Sequence, residues 1–230
     1  MSITFHGVSS DSLGLIVERS PDYNIPSRKM SAFEVAGRNG DILYQQDAFQ
    51  NVNQSYECFI KGGSNLSSAI QGVIAWLIAN KGYQRLEDSY TANQFRLAYC
   101  NNAAEVANSL NKFGKCTIEF SCMPQRFLTS GETEVTIVSP HTFSNPTVYE
   151  AKPLIYVNTL TDGTIDIDGT EIECATGEYY IDCDTQNAYM GNVNMNSYIN
   201  CSAFPVLASS SVVTLTTLTT VKVTPRWWTL

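Results

Sequence analysis

The residues best suited to chemistry fall in one stretch. Asp162-Gly163-Thr164-Ile165-Asp166-Ile167-Asp168-Gly169 sets carboxylates among glycines, and Glu171 and Glu173 follow closely. A calcium loop with Asp166 and Asp168 at its third and fifth positions requires a charged first ligand and a bidentate glutamate at the twelfth. Those two places hold Thr164 and Ala175. A hairpin is the simpler reading: Ile165 and Ile167 point inward, Asp166 points outward, and Asp168-Gly169 makes the turn. A glycosidase would need two acids held about 5–10 Å apart in a cleft. Eleven acids crowd residues 131–230, so some pair meets that distance by chance, and nothing singles one out. A β-rich hydrolase using Asp166, Asp168, Glu171 or Glu173 is thus the weakest of three functional readings.

Other catalytic patterns are missing. His6 and His141 are the two histidines, and neither sits in HxH or HExxH spacing. No GxSxG, P-loop or GxGxxG occurs; Gly62-Gly63-Ser64 lacks the lysine of a phosphate loop. The seven cysteines (Cys58, Cys100, Cys116, Cys122, Cys174, Cys183, Cys201) include no CxxC pair. The count is odd, and Met1 leads into Thr4-Phe5-His6-Gly7 without a basic and then apolar leader. Buried free thiols in a reducing cytoplasm are therefore expected, although sequence leaves a Cys–His pair open. No catalytic, metal, cofactor or nucleic-acid-binding residues are assigned, and no cofactor is expected. No apolar run approaches the roughly 18 residues of a membrane span.

Charge divides the chain. Residues 1–130 carry eleven basic and eleven acidic side chains, whereas residues 131–230 carry three and eleven. The second part therefore holds the whole net charge of −8. Such a step implies two domains in different surroundings, and the acidic surface disfavours nucleic acid and anionic membranes. Arg28-Lys29 and the lysines at 112 and 115 are too few for a nucleic-acid stripe.

The elements that must position these residues are mostly strands. In the first part, alternation marks strands near Thr4-Phe5, Leu13 to Val17, Ile42-Leu43-Tyr44, residues 55–60, 95–99 and 116–122. Asn39-Gly40 predicts a hairpin after Phe33-Glu34-Val35. One helix is clear: Leu66, Ile70, Val73, Ile74 and Leu77 form an apolar stripe, with Ser64 as N-cap and Gly82 as stop. Residues 103–110 are too short a second candidate to count. From Thr133 onward, short strands punctuated by Asp-Gly and Asn-rich turns predict a β-sandwich. Five aromatic residues there are candidate carbohydrate or protein contacts: Tyr179, Tyr180, Tyr198, Trp227 and Trp228. For the tryptophan pair, a split with one ring in a core and the other at a surface is the commoner arrangement.

Several clusters taken in order resemble the distal tail protein (Dit) family of long-tailed, siphovirus-type bacteriophages and prophages. They are Phe5-His6-Gly7-Val8-Ser9-Ser10, Leu13-Gly14-Leu15, and Val35-Ala36-Gly37-Arg38-Asn39-Gly40. The last departs at Ala36 and Asn39 from the family's Val-Pro-Gly-Arg-Asp-Gly loop. Then come Trp76-Leu77, Tyr83, Leu86, Asp88-Ser89, Arg96-Leu97-Ala98, and the Phe-x-Cys-x-Pro-x-x-Phe spacing from Phe120 to Phe127. The second part adds Ile181-Asp182, Ala188-Tyr189, Phe204-Pro205, Leu207 and Pro225-Arg226-Trp227-Trp228-Thr229-Leu230.

The resemblance implies a mainly β structural protein and no enzyme. Residues 1–130 would form a β-barrel or sandwich-like ring domain with one α-helix that docks on the tail tube. Residues 131–230 would form an acidic, galectin-like (carbohydrate-module-like) β-sandwich projecting outward. The implied assembly is a homo-hexamer in the baseplate hub. It joins the major tail tube protein to the tail-tip, or tail-associated lysin, protein and often to a receptor-binding protein. DNA only transits its channel, no membrane is engaged, and the location is the virion tail tip, assembled in the bacterial host cytoplasm. The alternative is a carbohydrate-binding module that contacts host cell-wall glycan.

Overall fold

The computed structural model describes residues 1–61 and 66–230. Ser64, the expected helix cap, and the Gly62-Gly63-Ser64 stretch lie outside the described residues. The chain is mainly β and divides into two compact units, Met1–Arg126 with Leu230, and Phe127–Thr229.

The first unit contains β1 (Ile3–Phe5), β2 (Val8–Ser9), β3 (Leu15–Val17), β4 (Arg28–Phe33), β5 (Ile42–Phe49), β6 (Val52–Ile60), α1 (Leu66–Ile78), β7 (Gln84–Asp88), β8 (Gln94–Cys100), α2 (Ala103–Phe113) and β9 (Lys115–Cys122). Its main sheet runs β2-β1-β7-β8-β9-β6-β3. Alternation builds it: Val52, Gln54, Tyr56, Cys58 and Ile60 face inward along β6, and Cys116, Ile118, Phe120 and Cys122 along β9. Phe120 is the hub of that core, 4.9 Å from the Phe5 ring and 6.0 Å from Tyr56.

Helix α1 buries Ile70, Val73, Trp76 and Leu77. Leu66, expected in that stripe, is exposed, and Ile74 is only partly buried. Trp76 takes the central place, because its Nε1 donates to the Phe5 carbonyl at 3.0 Å while its ring meets Phe5 edge-on. The segment after Asn102 is a full helix, so the unit has two α-helices where one was expected. Val106 and Leu110 carry α2 into the core, one turn apart, each burial contributing about 2 kcal/mol. Asn102 supplies what local pattern cannot: its Nδ2 donates to the Thr117 carbonyl at 2.9 Å, and its Oδ1 accepts from the Glu119 N–H at 2.9 Å. Gly114 ends the helix at φ 67°, returning its N–H to the Leu110 carbonyl.

β10 (Arg126–Leu128) leads into the second unit, which contains β11 (Val135–Thr136), β12 (His141–Ser144), β13 (Leu154–Thr159), β14 (Gly163–Ile167), β15 (Thr170–Cys174), β16 (Gly177–Asp182), β17 (Asn187–Met190), β18 (Val193–Asn194), β19 (Ile199–Cys201), β20 (Ser210–Thr216), β21 (Thr220–Thr224) and β22 (Trp228–Thr229). Strands β11 to β21 form a sandwich, while β22 pairs with β10. One sheet runs β11-β21-β13-β16-β17-β18 and the other β12-β20-β14-β15-β19. Ile155, Val157, Ile181, Val221 and Val223 of the first share a core with Ile165, Ile167, Ile172 and Val213 of the second. No described helix is long and apolar enough to cross a membrane.

Candidate functional site

The candidate carboxylates of the sequence sit in the β14–β15 hairpin, where Asp166, Asp168 and Glu173 each accept a hydrogen bond. Asp166 lies opposite Glu171, and its Oδ1 accepts from the Gly169 N–H at 3.2 Å. Asp168 holds the turn at φ 50° and accepts from the Val212 N–H at 2.8 Å. Glu173 accepts from Asn200 Nδ2 at 2.8 Å. Among the described residues no group of three or more His, Cys, Asp or Glu is placed to hold a metal ion. All seven cysteines are free thiols. Burial pushes the Cys122 and Cys174 thiols up to about 11 and Cys183 to about 12, so these three are protonated and poorly nucleophilic near neutrality.

The five candidate aromatic residues do not share one surface. Tyr179 is fully enclosed in the sandwich core, where its hydroxyl donates to the Ala175 carbonyl at 2.9 Å. Trp227 is likewise buried, edge-on to Phe143. Trp228 is half-buried; its ring stacks on Tyr149 at 4.6 Å, and its Nε1 donates to the Glu150 carbonyl. Tyr198 borders a groove of about 450 Å3 together with Asp162, Glu173 and Asn200.

Tyr180 belongs to an arrangement the sequence hides. The register sets Tyr156, Tyr180 and Tyr189 side by side on three adjacent strands, β13, β16 and β17. Their rings follow one another at 5.1 and 5.9 Å, and Lys222 lies over the Tyr156 ring at 5.4 Å. Because Ile155, Val157 and Ile181 fill the core, the alternation puts this tyrosine row on the outer face of the sheet. The Glu178 carboxylate accepts from Tyr156 Oη at 2.8 Å and holds that tyrosine's pKa above its ordinary value. A flat, half-exposed row with polar tips is suited to stacking against a sugar or a protein surface.

A second exposed surface, an apolar one, lies in the first unit. Among the described residues, strands β4 and β5 pair only with each other. The register puts Phe33, Ile42 and Tyr44 on one face of this ribbon and Met30 and Leu43 on the other. All five are exposed, Phe33, Leu43 and Tyr44 to 57, 61 and 60%. The connecting loop is longer than a two-residue turn: it spans residues 34–41, with Gly37 and Gly40 at φ 81° and 78°. A lone two-stranded ribbon is marginal in water, and one that is apolar on both faces is built to be covered.

The sequence matches no family model, and no curated protein matches it. A solved structure does match. The crystal structure of the Dit (gp 19.1) protein of phage SPP1 aligns over 100% of this chain and 99% of its own, with a TM-score of 0.72. The fold is that of a phage distal tail protein. That protein is described as a paradigm of the hub adsorption apparatus in phages infecting Gram-positive hosts. At 14% identity the likeness is one of fold. Within the distal tail protein fold, several motif pieces named above meet at defined contacts: Trp76 bonds Phe5, and Arg226 bonds Asp182.

Proposed function

We propose that this chain is a structural hub protein of a siphovirus-type phage tail tip. Six copies close a ring that joins the major tail tube protein to the tail-tip, or tail-associated lysin, protein and carries receptor-binding proteins, with DNA transiting the central channel. The observation that carries this reading is the β4–β5 ribbon, whose apolar faces demand a neighbour. A closed ring uses two different complementary patches per subunit, and a protruding ribbon lying on the next copy meets that need. The fold of a known hub protein along the whole chain and the ordered motif set support it further.

The first unit takes the ring-forming and tube-docking role, within residues 1–130. The acidic sandwich, within residues 131–230, projects outward, where its charge keeps neighbouring copies soluble and apart. The balanced charge of residues 1–130, eleven basic against eleven acidic side chains, suits a channel that lets DNA pass without holding it. The protein acts without catalysis or a cofactor, at the virion tail tip, after assembly in the host cytoplasm. Light scattering combined with negative-stain imaging tests the ring: six times the 25.4 kDa chain mass is expected, and a monomer at high concentration counts against it.

A second reading is favoured by the Tyr156–Tyr180–Tyr189 row, namely that the galectin-like sandwich also binds host wall glycan. Titration with wall polysaccharide tests it, and no binding at millimolar sugar removes it.

A further inference from the structure

Two arginines inside the motif pieces of the first unit are buried, Arg96 in the middle of β8 and Arg126 at the start of β10. They are only 8 and 6% exposed. Nη1 and Nη2 of Arg96 and Nε of Arg126 are shielded from solvent and meet no hydrogen-bond acceptor of the protein. Among the described residues neither guanidinium has a carboxylate at ion-pair distance. Arg126 lies over the Tyr23 ring at 3.9 Å, a contact that shields one face of its guanidinium.

Both side chains border a small cavity walled also by Tyr56, Leu86, Asp88 and Thr91. Asp88 is the one acid on that wall, and its oxygens are already engaged. Oδ2 accepts from Tyr56 at 3.1 Å; Oδ1 accepts from the N–H groups of Tyr90 and Thr91 and from Thr91 Oγ1, at 2.9, 2.8 and 2.9 Å. Two guanidinium charges against one carboxylate leave one positive charge uncompensated. Burial first, and then the neighbouring Arg126 charge, lower the Arg96 pKa, in keeping with two like charges held close in a buried place. A buried unpaired charge is strongly unfavourable, so such groups are paired in folded proteins.

We propose that Arg96 and Arg126 form a buried site for one monatomic anion, chloride in the native protein. Charge balance calls for a single negative charge. The cavity offers about 10 Å3 to the centre of a water-sized guest, which is the scale of one small monatomic ion. The unengaged N–H groups are the donors such an ion takes. The site secures β8 and the start of β10 around one ion, whether or not the chain forms a ring.

Crystals grown with sodium bromide in place of chloride test it. An anomalous bromine peak between Arg96 and Arg126 is expected; an ordered water or a neighbouring copy's carboxylate there overturns the proposal. In solution, gluconate is replaced by chloride or bromide at constant ionic strength while thermal unfolding is followed. A saturable rise is expected, with the folded-to-unfolded ratio about tenfold higher at ten times the dissociation constant. Arg96→Met should give a flat curve, and a variant that keeps the wild-type halide response overturns the site. If Arg96→Met does not fold, the bromide peak and the wild-type titration decide by themselves.

Discussion

Arg226 grips Asp182 with both terminal nitrogens: Nη1 donates to Oδ1 at 2.7 Å and Nη2 to Oδ2 at 3.2 Å. Asp182 ends β16 and is only 7% exposed, while Arg226 stands just before β22 in a left-handed conformation at φ 59°. The pair thus ties the last strand of the chain to the middle of one sandwich sheet. Bidentate charge-assisted bonds at a mostly buried acid are among the stronger side-chain contacts. Arg226→Ala should lower stability by about 2–3 kcal/mol, since it leaves a buried carboxylate without its counter-charge. Urea unfolding reads this, and an unchanged midpoint would refute it.

The same pair sets an acid limit. Burial pushes the Asp182 pKa up, but the Arg226 hydrogen bonds and charge, with the Asp184 and Thr185 N–H groups, outweigh it and leave the value below 3.8. A folded-state pKa below the unfolded one means the stability is present above the ordinary aspartate value and lost as pH falls through the folded value. Wild type should therefore lose stability below about pH 4 more steeply than Asp182→Asn. Parallel acid branches in the two urea-midpoint profiles would show that Asp182 is not responsible.

Two glycines should respond oppositely to alanine. A Cβ at Gly131 would lie 2.2 Å from the Trp227 backbone nitrogen, and the Gly131 carbonyl accepts from the Arg226 N–H at 2.8 Å. Gly131→Ala must displace backbone and should cost about 2–3 kcal/mol. Gly72 lies inside α1, where a Cβ would meet only Leu13 Cδ2 at 3.8 Å. Gly72→Ala should gain about 0.5–1 kcal/mol from helix propensity. Thermal unfolding of both variants checks the contrast, and a stable Gly131→Ala defeats the close-approach argument.

The β4–β5 ribbon should govern assembly and leave folding intact. Its apolar side chains lie outside both cores, so a charge there need not disturb either. The double variant Phe33→Ser, Leu43→Glu is expected to keep the wild-type circular dichroism while its mass in light scattering falls from six copies to one. A variant that remains hexameric sinks the role given to the ribbon.

If the sandwich binds glycan, the tyrosine row is the place. Tyr180→Ala removes the middle ring and should weaken binding about tenfold, in line with one lost stacking contact of about 1–1.5 kcal/mol. Trp228→Phe, which removes the bond to the Glu150 carbonyl away from the row, should leave affinity within twofold. Equal losses in both variants would place the site elsewhere.

Much of this molecule was legible as pattern. The inward isoleucines of the β14–β15 hairpin, the Asp168-Gly169 turn and the α1 stripe follow from alternation and helical period, which are local properties. Helix α2 was not legible, because only Val106 and Leu110 enter the core and its start depends on Asn102 reaching β9. The five aromatic residues chosen by type separated for the same reason. Alternation along β16 sends Tyr179 inward and Tyr180 outward, and only cross-strand register adds Tyr156 and Tyr189 to the row.

By itself the sequence determined the mainly β character and the change of charge near residue 130. These follow from composition and short-range periodicity, which need no knowledge of distant neighbours. Tertiary structure decided the rest. Asp182 meets Arg226 across 44 positions, and Arg96 and Arg126 come to border one cavity whose single acid, Asp88, is engaged by other donors. The β4–β5 ribbon stands uncovered because no other strand of the chain pairs with it among the described residues. Pairing and burial depend on which surfaces the folded chain brings together, and that information is shared among segments far apart in sequence.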